Sequence, residues 1–338
     1  MTVFRAWAAH RAGGPLQPFD YDAGPLDAED VEIEVEHCGI CHSDLALIDS
    51  EWGASTYPLV PGHEVVGRVV ALGGQTKGLA LGQRVGVGWH ARSCLHCRPC
   101  IGGEQHLCAQ RQPTIVGRHG GFADRLRSHW AWAVPIPDAL DPASAGPLMC
   151  GGITVFSPLV IHGLRPLDRV GVVGIGGLGH LALKFARAWG CEVTAFTSTP
   201  AKRDEAMALG ATRAVSSVDR AEMKQIAGSI DFLLVTVGAA LEWDSLMGTL
   251  APKGRLHLVG VVTEGLKLRT GSLMSWQRSV SASPTGSPAT IADMLGFAAR
   301  HGITAQVERF PMARVNDAID RLRSGQARYR VVLDAASR

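Results

Sequence analysis

Four thiols stand within fifteen residues, as Cys94-x2-Cys97-x2-Cys100-x7-Cys108. Thiolates at such short spacing close a tetrahedral site with no open position, the structural kind of zinc site. An iron–sulfur cluster is the alternative, but a ferredoxin-type run carries x3 and then Cys-Pro before its last thiol, not x7. His96 and His106 fall between the thiols and read as loop residues. Further on, Gly174-Ile-Gly-Gly-Leu-Gly179 is a G-x-G-x-x-G turn. An apolar run, Val170 to Gly174, precedes it, and a stretch of helical periodicity, Leu178 to Trp189, follows. In that context Gly174, Gly176, Gly177, Leu178 and Gly179 present free N–H groups and a positive helix end to a pyrophosphate. The residues ending the next strand select the cofactor. They are Thr197, Ser198 and Thr199, with Lys202 and Arg203 close behind, and no acid stands at the tip. A carboxylate there would bind the ribose 2′-OH of NAD, whereas hydroxyls and cations hold a 2′-phosphate. NADP(H) is therefore expected over NAD(H); a merely solvated helix start is the competing reading.

A second constellation is dispersed: Cys41 in Gly39-Ile-Cys-His-Ser-Asp44, His63 and Glu64 in Pro61-Gly-His-Glu-Val65, and Cys150 in Leu148-Met-Cys-Gly-Gly152. Each residue alone has a plain explanation, and an apolar-flanked cysteine such as Cys150 is usually packing. Their interest lies in position, because Cys150 falls where a β-rich part meets the dinucleotide part. A metal there would face the nicotinamide.

The elements around these residues divide the chain in two. Residues 30–37 alternate strictly between acidic or polar and apolar side chains, the mark of a half-buried strand. Short apolar runs broken by Gly and Pro continue to about 137, among them 65–70, 84–88 and 130–135, so this part is expected to be mainly β with long loops. From about 150 strands alternate with helices. Strands are expected at 170–174, 191–197, 230–237 and 255–262, with helices at 178–189 and 201–209; that alternation means βαβ units on a parallel sheet. A strand at 279–283, a helix at 289–301, an amphipathic segment at 314–322 and a strand at 330–334 complete the reading. The composition agrees with a large, well-packed α/β protein. A chain of 338 residues, 46% apolar and 19% charged, can fill about two cores. Its formal net charge of +2 argues against a nucleic-acid binder held by net charge. There is no signal-like N-terminus and no apolar run of membrane-spanning length, so no membrane partner and a cytoplasmic setting are expected. Eight thiols in such a setting read as metal ligands or free thiols rather than disulfides.

Taken in order, these motifs resemble the zinc-dependent medium-chain dehydrogenase/reductase family, and within it the cinnamyl-alcohol-dehydrogenase-like alcohol dehydrogenases. The resemblance runs from the Cys-His-Ser-Asp motif through Gly62-His-Glu-Val-Val-Gly67, the four-cysteine lobe and Cys150-Gly-Gly-Ile-Thr-Val-Phe-Ser-Pro158 to the closing Arg328-Tyr-Arg-Val-Val-Leu-Asp334. It implies a GroES-like catalytic domain at 1–151 and 286–338, with the structural-zinc lobe at about 90–110, and a Rossmann NADP-binding domain at 152–285. It implies two zincs per chain: one structural, on Cys94, Cys97, Cys100 and Cys108, and one catalytic, on Cys41, His63 and Cys150 with Glu64 behind it. Ser43 would then hydrogen-bond the substrate oxygen and Asp44 would orient His63. His42 and Arg330 would approach the cofactor pyrophosphate and Thr154 the nicotinamide. The implied activity is NADP(H)-dependent alcohol oxidation or aldehyde reduction, by hydride transfer at a zinc-polarised oxygen in a desolvated cleft. Aromatic, allylic or medium aliphatic primary alcohols and aldehydes would be the substrates, in a homodimer joined at the edge strand of the dinucleotide sheet.

Two departures from the family pattern bear on function. Where relatives carry a proton-relaying histidine after Cys-His-Ser/Thr-Asp-Leu, this chain has Ala46. Loss of such a relay opens a second reading, reduction of C=N or activated C=C bonds. The segment between Cys108 and Gly120 is also short, at eleven residues, which leaves the roof of the substrate pocket open to question. Trp52 and Trp89 fall where the family lines its cleft, with Met274 and Pro284 on later pocket-facing segments; core packing is the alternative for either Trp. Trp7, Trp130, Trp132, Trp189 and Trp243 read as structural.

Overall fold

Val31, Ile33 and Val35 alternate with Glu32 and Glu34 along one long strand, and that strand organises the first half of the molecule. The computed structural model describes residues 2–335. In chain order its strands there are β1 (Val3–Ala9), β2 (Leu16–Asp22), β3 (Asp30–Ile40), β4 (Glu64–Leu72), β5 (Arg84–Val87), β6 (His90–Arg92), β7 (Gln112–Pro113), β8 (Arg125–His129), β9 (Val134–Pro135), β10 (Arg169–Val173), β11 (Glu192–Thr197), β12 (Arg213–Ser216), β13 (Ile230–Val235), β14 (Leu250–Leu258), β15 (Ser279–Ala282), β16 (Val307–Pro311) and β17 (Arg330–Asp334). They fall into two units, one running to Ile153 and resuming at Thr285, the other spanning Thr154–Pro284.

The first unit is a mixed sheet in the order β16-β17-β3-β4-β5-β9, with β8 also on β3, flanked by the antiparallel hairpin β1-β2. Val31, Ile33 and Val35 point into its core, as alternation requires. The opposite face departs from the half-buried expectation: Asp30 and Glu32 are buried too. Their cover is cationic. Arg125 and Arg127 from β8 close on Glu32, and Arg92 lies 2.6 Å from Asp30, so the charges enter the interior paired. The apolar run at 130–135 also departs from a plain strand. His129 Nδ1 accepts from the Ala131 N–H at 3.1 Å and turns Trp130–Trp132 into a 3-10 helix, leaving only the two-residue β9.

The second unit is a six-stranded parallel sheet in the order β12-β11-β10-β13-β14-β15. This is the doubly wound 3-2-1-4-5-6 order, whose ligand crevice lies at the carboxyl ends of the strands. β10 is apolar along almost its whole length, because helices cover both faces of such a sheet. The strand expected at 255–262 starts earlier and ends at Leu258. There the chain bends so that Gly260 lies against the Val237 backbone, with no room for a Cβ. The helix expected at 201–209 opens as a 3-10 turn, Pro200–Lys202, before Arg203–Ala208. Among the described residues no single helix is long and apolar enough to cross a membrane.

Candidate active site

The metal-type cluster of the first unit is assembled around one carboxylate. Cys41 caps the helix His42–Ile48, and Asp44 in its first turn is wholly buried. Asp44 Oδ2 accepts from the Cys41 N–H at 2.8 Å; its Oδ1 takes the Gly62 N–H at 2.9 Å and lies 3.0 Å from His63 Nδ1. Acceptor-only Asp44 puts the His63 proton on Nδ1 and leaves Nε2 as a lone pair. That lone pair faces Cys150 Sγ at 3.3 Å, and Cys150 Sγ is 3.8 Å from Cys41 Sγ. A tetrahedral ion with metal–sulfur bonds of about 2.3 Å separates two sulfurs by about 3.8 Å, and a sulfur from a nitrogen by about 3.5 Å. The observed edges match those lengths and are far too long for a disulfide, which needs about 2.0 Å. Hydrogen bonding to Cys150 and the nearby His63 draw the Cys41 thiol well below the usual thiol range, as a metal ligand requires.

Glu64 completes the cluster, its ligand atom within 4.8 Å of the other three. Arg330 Nη2 donates to Glu64 Oε1, while Glu64 Oε2 is buried without a partner. An orphaned carboxylate oxygen beside two thiols and an imidazole is a donor set waiting for a cation. The cradle around it is tight. A Cβ on Gly39 would stand 2.0 Å from Glu64 Oε2, so only glycine fits at that point of β3.

The four-cysteine lobe repeats the same geometry. Cys94 Sγ lies 3.9 Å from Cys100 Sγ and 3.6 Å from Cys108 Sγ. Backbone N–H groups of Cys97 and Gln110 donate to Cys94 and Cys108 sulfurs at 3.4 and 3.3 Å. Backbone donors, His96 first, hold the Cys94 thiol at about 6. All four ligand atoms lie within 4.8 Å of one another, and the described cysteines are free thiols.

In the second unit the phosphate turn follows β10. Gly174 adopts φ +90°, and a Cβ on Gly179 would fall 1.9 Å from the Gly174 carbonyl, so the helix Gly179–Trp189 packs against the strand end only without side chains. A Cβ on Gly176 would meet nothing within 4 Å, which leaves open space on the ligand side. A cavity of about 460 Å³ begins there, lined by Gly174, Gly176, Thr197, Ser198, Thr199, Lys202 and Ser217, with Glu242 on the far loop as its one carboxylate. Lys202 Nζ donates to the Ile175 carbonyl at 2.9 Å, and Thr197 Oγ1 accepts from the Thr199 N–H at 3.1 Å. Arg203 turns away from this cavity to Glu222, at 2.7 Å.

The other residues singled out in the sequence are placed as follows. Ser43 Oγ lies 3.8 Å from Cys41 Sγ. Trp89 stands edge-on to His63, with centroids 4.9 Å apart, and Trp52 edge-on to Trp89 at 6.2 Å. The metal-type cluster therefore has an aromatic wall. His42 is exposed, Thr154 is buried in the helix Gly151–Ile161, and Met274 and Pro284 are exposed on the second unit. Arg330, expected at a pyrophosphate, is engaged by Glu64 beside the thiols. Sequence reasoning missed that pair because the partners are 266 residues apart. The sequence shows only an arginine leading an apolar strand pattern, Arg330-Val-Val-Leu-Asp334, a setting in which a cation needs a carboxylate but which does not say which one.

A doubly wound dinucleotide unit and a β-rich unit carrying two thiol-based clusters that could hold metal ions are the features of a zinc-binding dehydrogenase. The chain belongs to the zinc-binding alcohol dehydrogenase family and is an oxidoreductase: residues 27–138 match the alcohol dehydrogenase GroES-like domain and residues 177–300 the zinc-binding dehydrogenase domain. Among its relatives is the aldehyde reductase AdhA of Synechocystis sp., 53% identical over 98% of both chains. Two solved structures are similar over 98% of both chains. One is a cinnamyl alcohol dehydrogenase, SbCAD4, from Sorghum bicolor, with 39% identity and a TM-score of 0.95; another is CAD from Helicobacter pylori complexed with NADP(H), with 27% identity and a TM-score of 0.90.

Proposed function

We propose that this chain is an NADP(H)-dependent alcohol dehydrogenase and aldehyde reductase acting on aromatic, allylic or medium aliphatic primary substrates. Its catalytic zinc is held by Cys41, His63 and Cys150 and its structural zinc by Cys94, Cys97, Cys100 and Cys108. The observation that carries the reading is the Cys41–His63–Cys150 cluster, with tetrahedral edges and the unpartnered Glu64 oxygen beside it. Zinc, when bound there, supplies a Lewis acid that polarises a carbonyl oxygen. The chain's own groups do the rest. Asp44 fixes the tautomer of His63, Glu64 and Arg330 balance the buried charge, and Ser43 holds the substrate proton. Trp52 and Trp89 offer flat apolar walls suited to conjugated or aliphatic chains, and Met274 and Pro284 are proposed as further substrate-pocket residues. His42, Thr154 and the Gly174–Gly179 turn are assigned to the dinucleotide. β15 is one of the two edges of its sheet, β12 being the other, which supports a homodimer formed by strand addition at β15. The setting proposed is the cytoplasm.

Thr197, Ser198, Thr199 and Lys202 at the tip of β11 support NADP(H) over NAD(H), since the cavity's carboxylate, Glu242, comes from a different loop. A charged hydrogen bond contributes roughly 1.5–3 kcal/mol. Aldehyde reduction is therefore expected to show kcat/KM some 10- to 100-fold higher with NADPH than with NADH. A panel of aldehydes, imines and enals assayed with both cofactors measures this, and a preference for NADH refutes the assignment. The second reading, reduction of C=N or activated C=C bonds, rests on Ala46, which cannot relay a proton and is wholly buried. If a relay is what the site lacks, Ala46→His should raise kcat for aldehydes at least about tenfold, the low end of general acid–base effects. It should also lower Tm, because a larger side chain enters a closed space. An unchanged kcat in a folded variant removes the relay argument.

A further inference from the structure

The dinucleotide unit buries a polar network that neither metal cluster nor the phosphate turn uses. His257, in β14, is 0% exposed, and its ring stacks on Phe232 with centroids 5.6 Å apart. Its Nε2 lies 2.9 Å from Ser283 Oγ, and its Nδ1 lies 2.9 Å from Ser281 Oγ and 3.1 Å from His162 Nε2. Two residues earlier on the same face of β14, Arg255 donates to Ser279 Oγ at 3.0 Å and to His162 Nδ1. Arginine only donates, so His162 Nδ1 accepts and its proton sits on Nε2, directed at His257 Nδ1. The proton of His257 is then on Nε2, directed at Ser283. Asp168 and Asp231 line a cavity with His162 and Arg255, but the hydrogen bonds of the two rings go to Arg255, Ser281, Ser283 and each other. Burial first, and then the positive neighbours, hold both imidazoles below their usual range, His257 at about 4. His257 is thus a neutral ring with one fixed donor and one fixed acceptor.

An aliphatic side chain would fill this position at lower desolvation cost. What the imidazole adds is a grip on the end of β15. Backbone pairing of β14 with β15 runs from Arg255–Ser279 to Leu258–Ala282. Ser283 is the first residue beyond it, its N–H donating to the Leu258 carbonyl at a long 3.3 Å. In a doubly wound sheet the ligand crosses the carboxyl ends of the strands, one nucleotide half on each side of the switch point. The Gly174–Lys202 cavity takes in the phosphate turn, the tip of β11 and the loop after β13 at Val237 and Ala240–Glu242, so the β14–β15 end of the sheet, where Ser283 emerges, is left for the nicotinamide end. We propose that the His257–Ser281–Ser283 clamp sets the loop after β15 for the nicotinamide end of the cofactor, which makes His257 a positioning residue for hydride transfer.

The inference rests on the NADP(H) reading, and the experiment separates the two. Steady-state kinetics with NADPH, and binding of NADPH and of adenosine 2′,5′-bisphosphate, are measured for the wild type, His257→Leu, Ser283→Ala and His257→Asn. Loss of neutral hydrogen bonds predicts a fall in kcat/KM for NADPH of about tenfold in His257→Leu and a smaller one in Ser283→Ala. The Kd for adenosine 2′,5′-bisphosphate should stay within about twofold, and His257→Asn should recover part of the loss, since it keeps a donor and an acceptor. Unchanged kinetics in His257→Leu overturn the proposal, as does an equal weakening of NADPH and the fragment. If His257→Leu does not fold, Ser283→Ala decides, and wild-type kinetics there overturn it. A wild type that binds neither NADPH nor the fragment overturns the NADP(H) reading and this inference with it.

Discussion

Cys150→Ser is expected to reduce turnover by at least about a thousandfold while leaving most of the thermal stability in place. The cluster of Cys41, His63 and Cys150 is closed by only three strong donors, with Glu64 committed on one oxygen to Arg330. A serine hydroxyl is not deprotonated under conditions that ionise a thiol, so it cannot replace the thiolate. His63 stays locked to Asp44 in the substituted protein, because that bond does not depend on the metal. The loss therefore falls on the metal and on the polarisation it supplies, an effect of several kcal/mol on the barrier. Metal analysis should fall from two ions per chain to one, with Tm shifted by a few degrees, and Cys41→Ser should behave alike. Full activity with one ion per chain would show that the reaction does not use this cluster.

What could be read from the sequence and what could not follows contact distance along the chain. The Gly174–Gly179 turn, its preceding strand and its following helix are local, and their hydrogen-bond and steric requirements are written in consecutive residues. The four-cysteine lobe is local as well, with the Cys94 sulfur 3.6 Å from that of Cys108 and 3.9 Å from that of Cys100. The β3 alternation located a strand, but its burial depended on arginines about 93 residues away in β8. Glu64 and Arg330 are further apart still, and nothing in either segment names the other. His257 is the clearest case. It sits in an apolar strand pattern, and only the placement of Ser281, Ser283 and His162 around it shows why a polar ring is tolerated there. Trp130–Pro135 failed as a strand for a local reason of a different kind, a side-chain cap by His129 that hydropathy does not register.

The second large effect is expected in the lobe. Cys100→Ser should remove the other metal ion and lower Tm by about 10 °C or more, with the Cys41–His63–Cys150 ion retained. The lobe has almost no core of its own. Its regular structure is a four-residue helix, Arg98–Ile101, and a 3-10 turn, Gln105–Leu107, while Ile101 and Leu107 point outward at 75% and 45% exposure. A side-chain tie to the rest of the unit comes at its very start, where Trp132 Nε1 donates to Ser93 Oγ at 3.2 Å. With so little apolar burial, the free energy that orders residues 94–108 has to come from the metal, and structural zinc contributes roughly 10–16 kcal/mol to small domains of this kind. Without Cys100 the remaining thiols cannot close a tetrahedron, so the segment should open and become a site of rapid proteolysis. The contrast with Cys150→Ser is diagnostic: one substitution removes activity with little change in stability, the other removes stability first. A Cys100→Ser protein that keeps two ions, wild-type Tm and an uncleaved 94–108 segment would mean that packing rather than metal holds the lobe, and the spacing x2, x2, x7 would then lose its structural meaning.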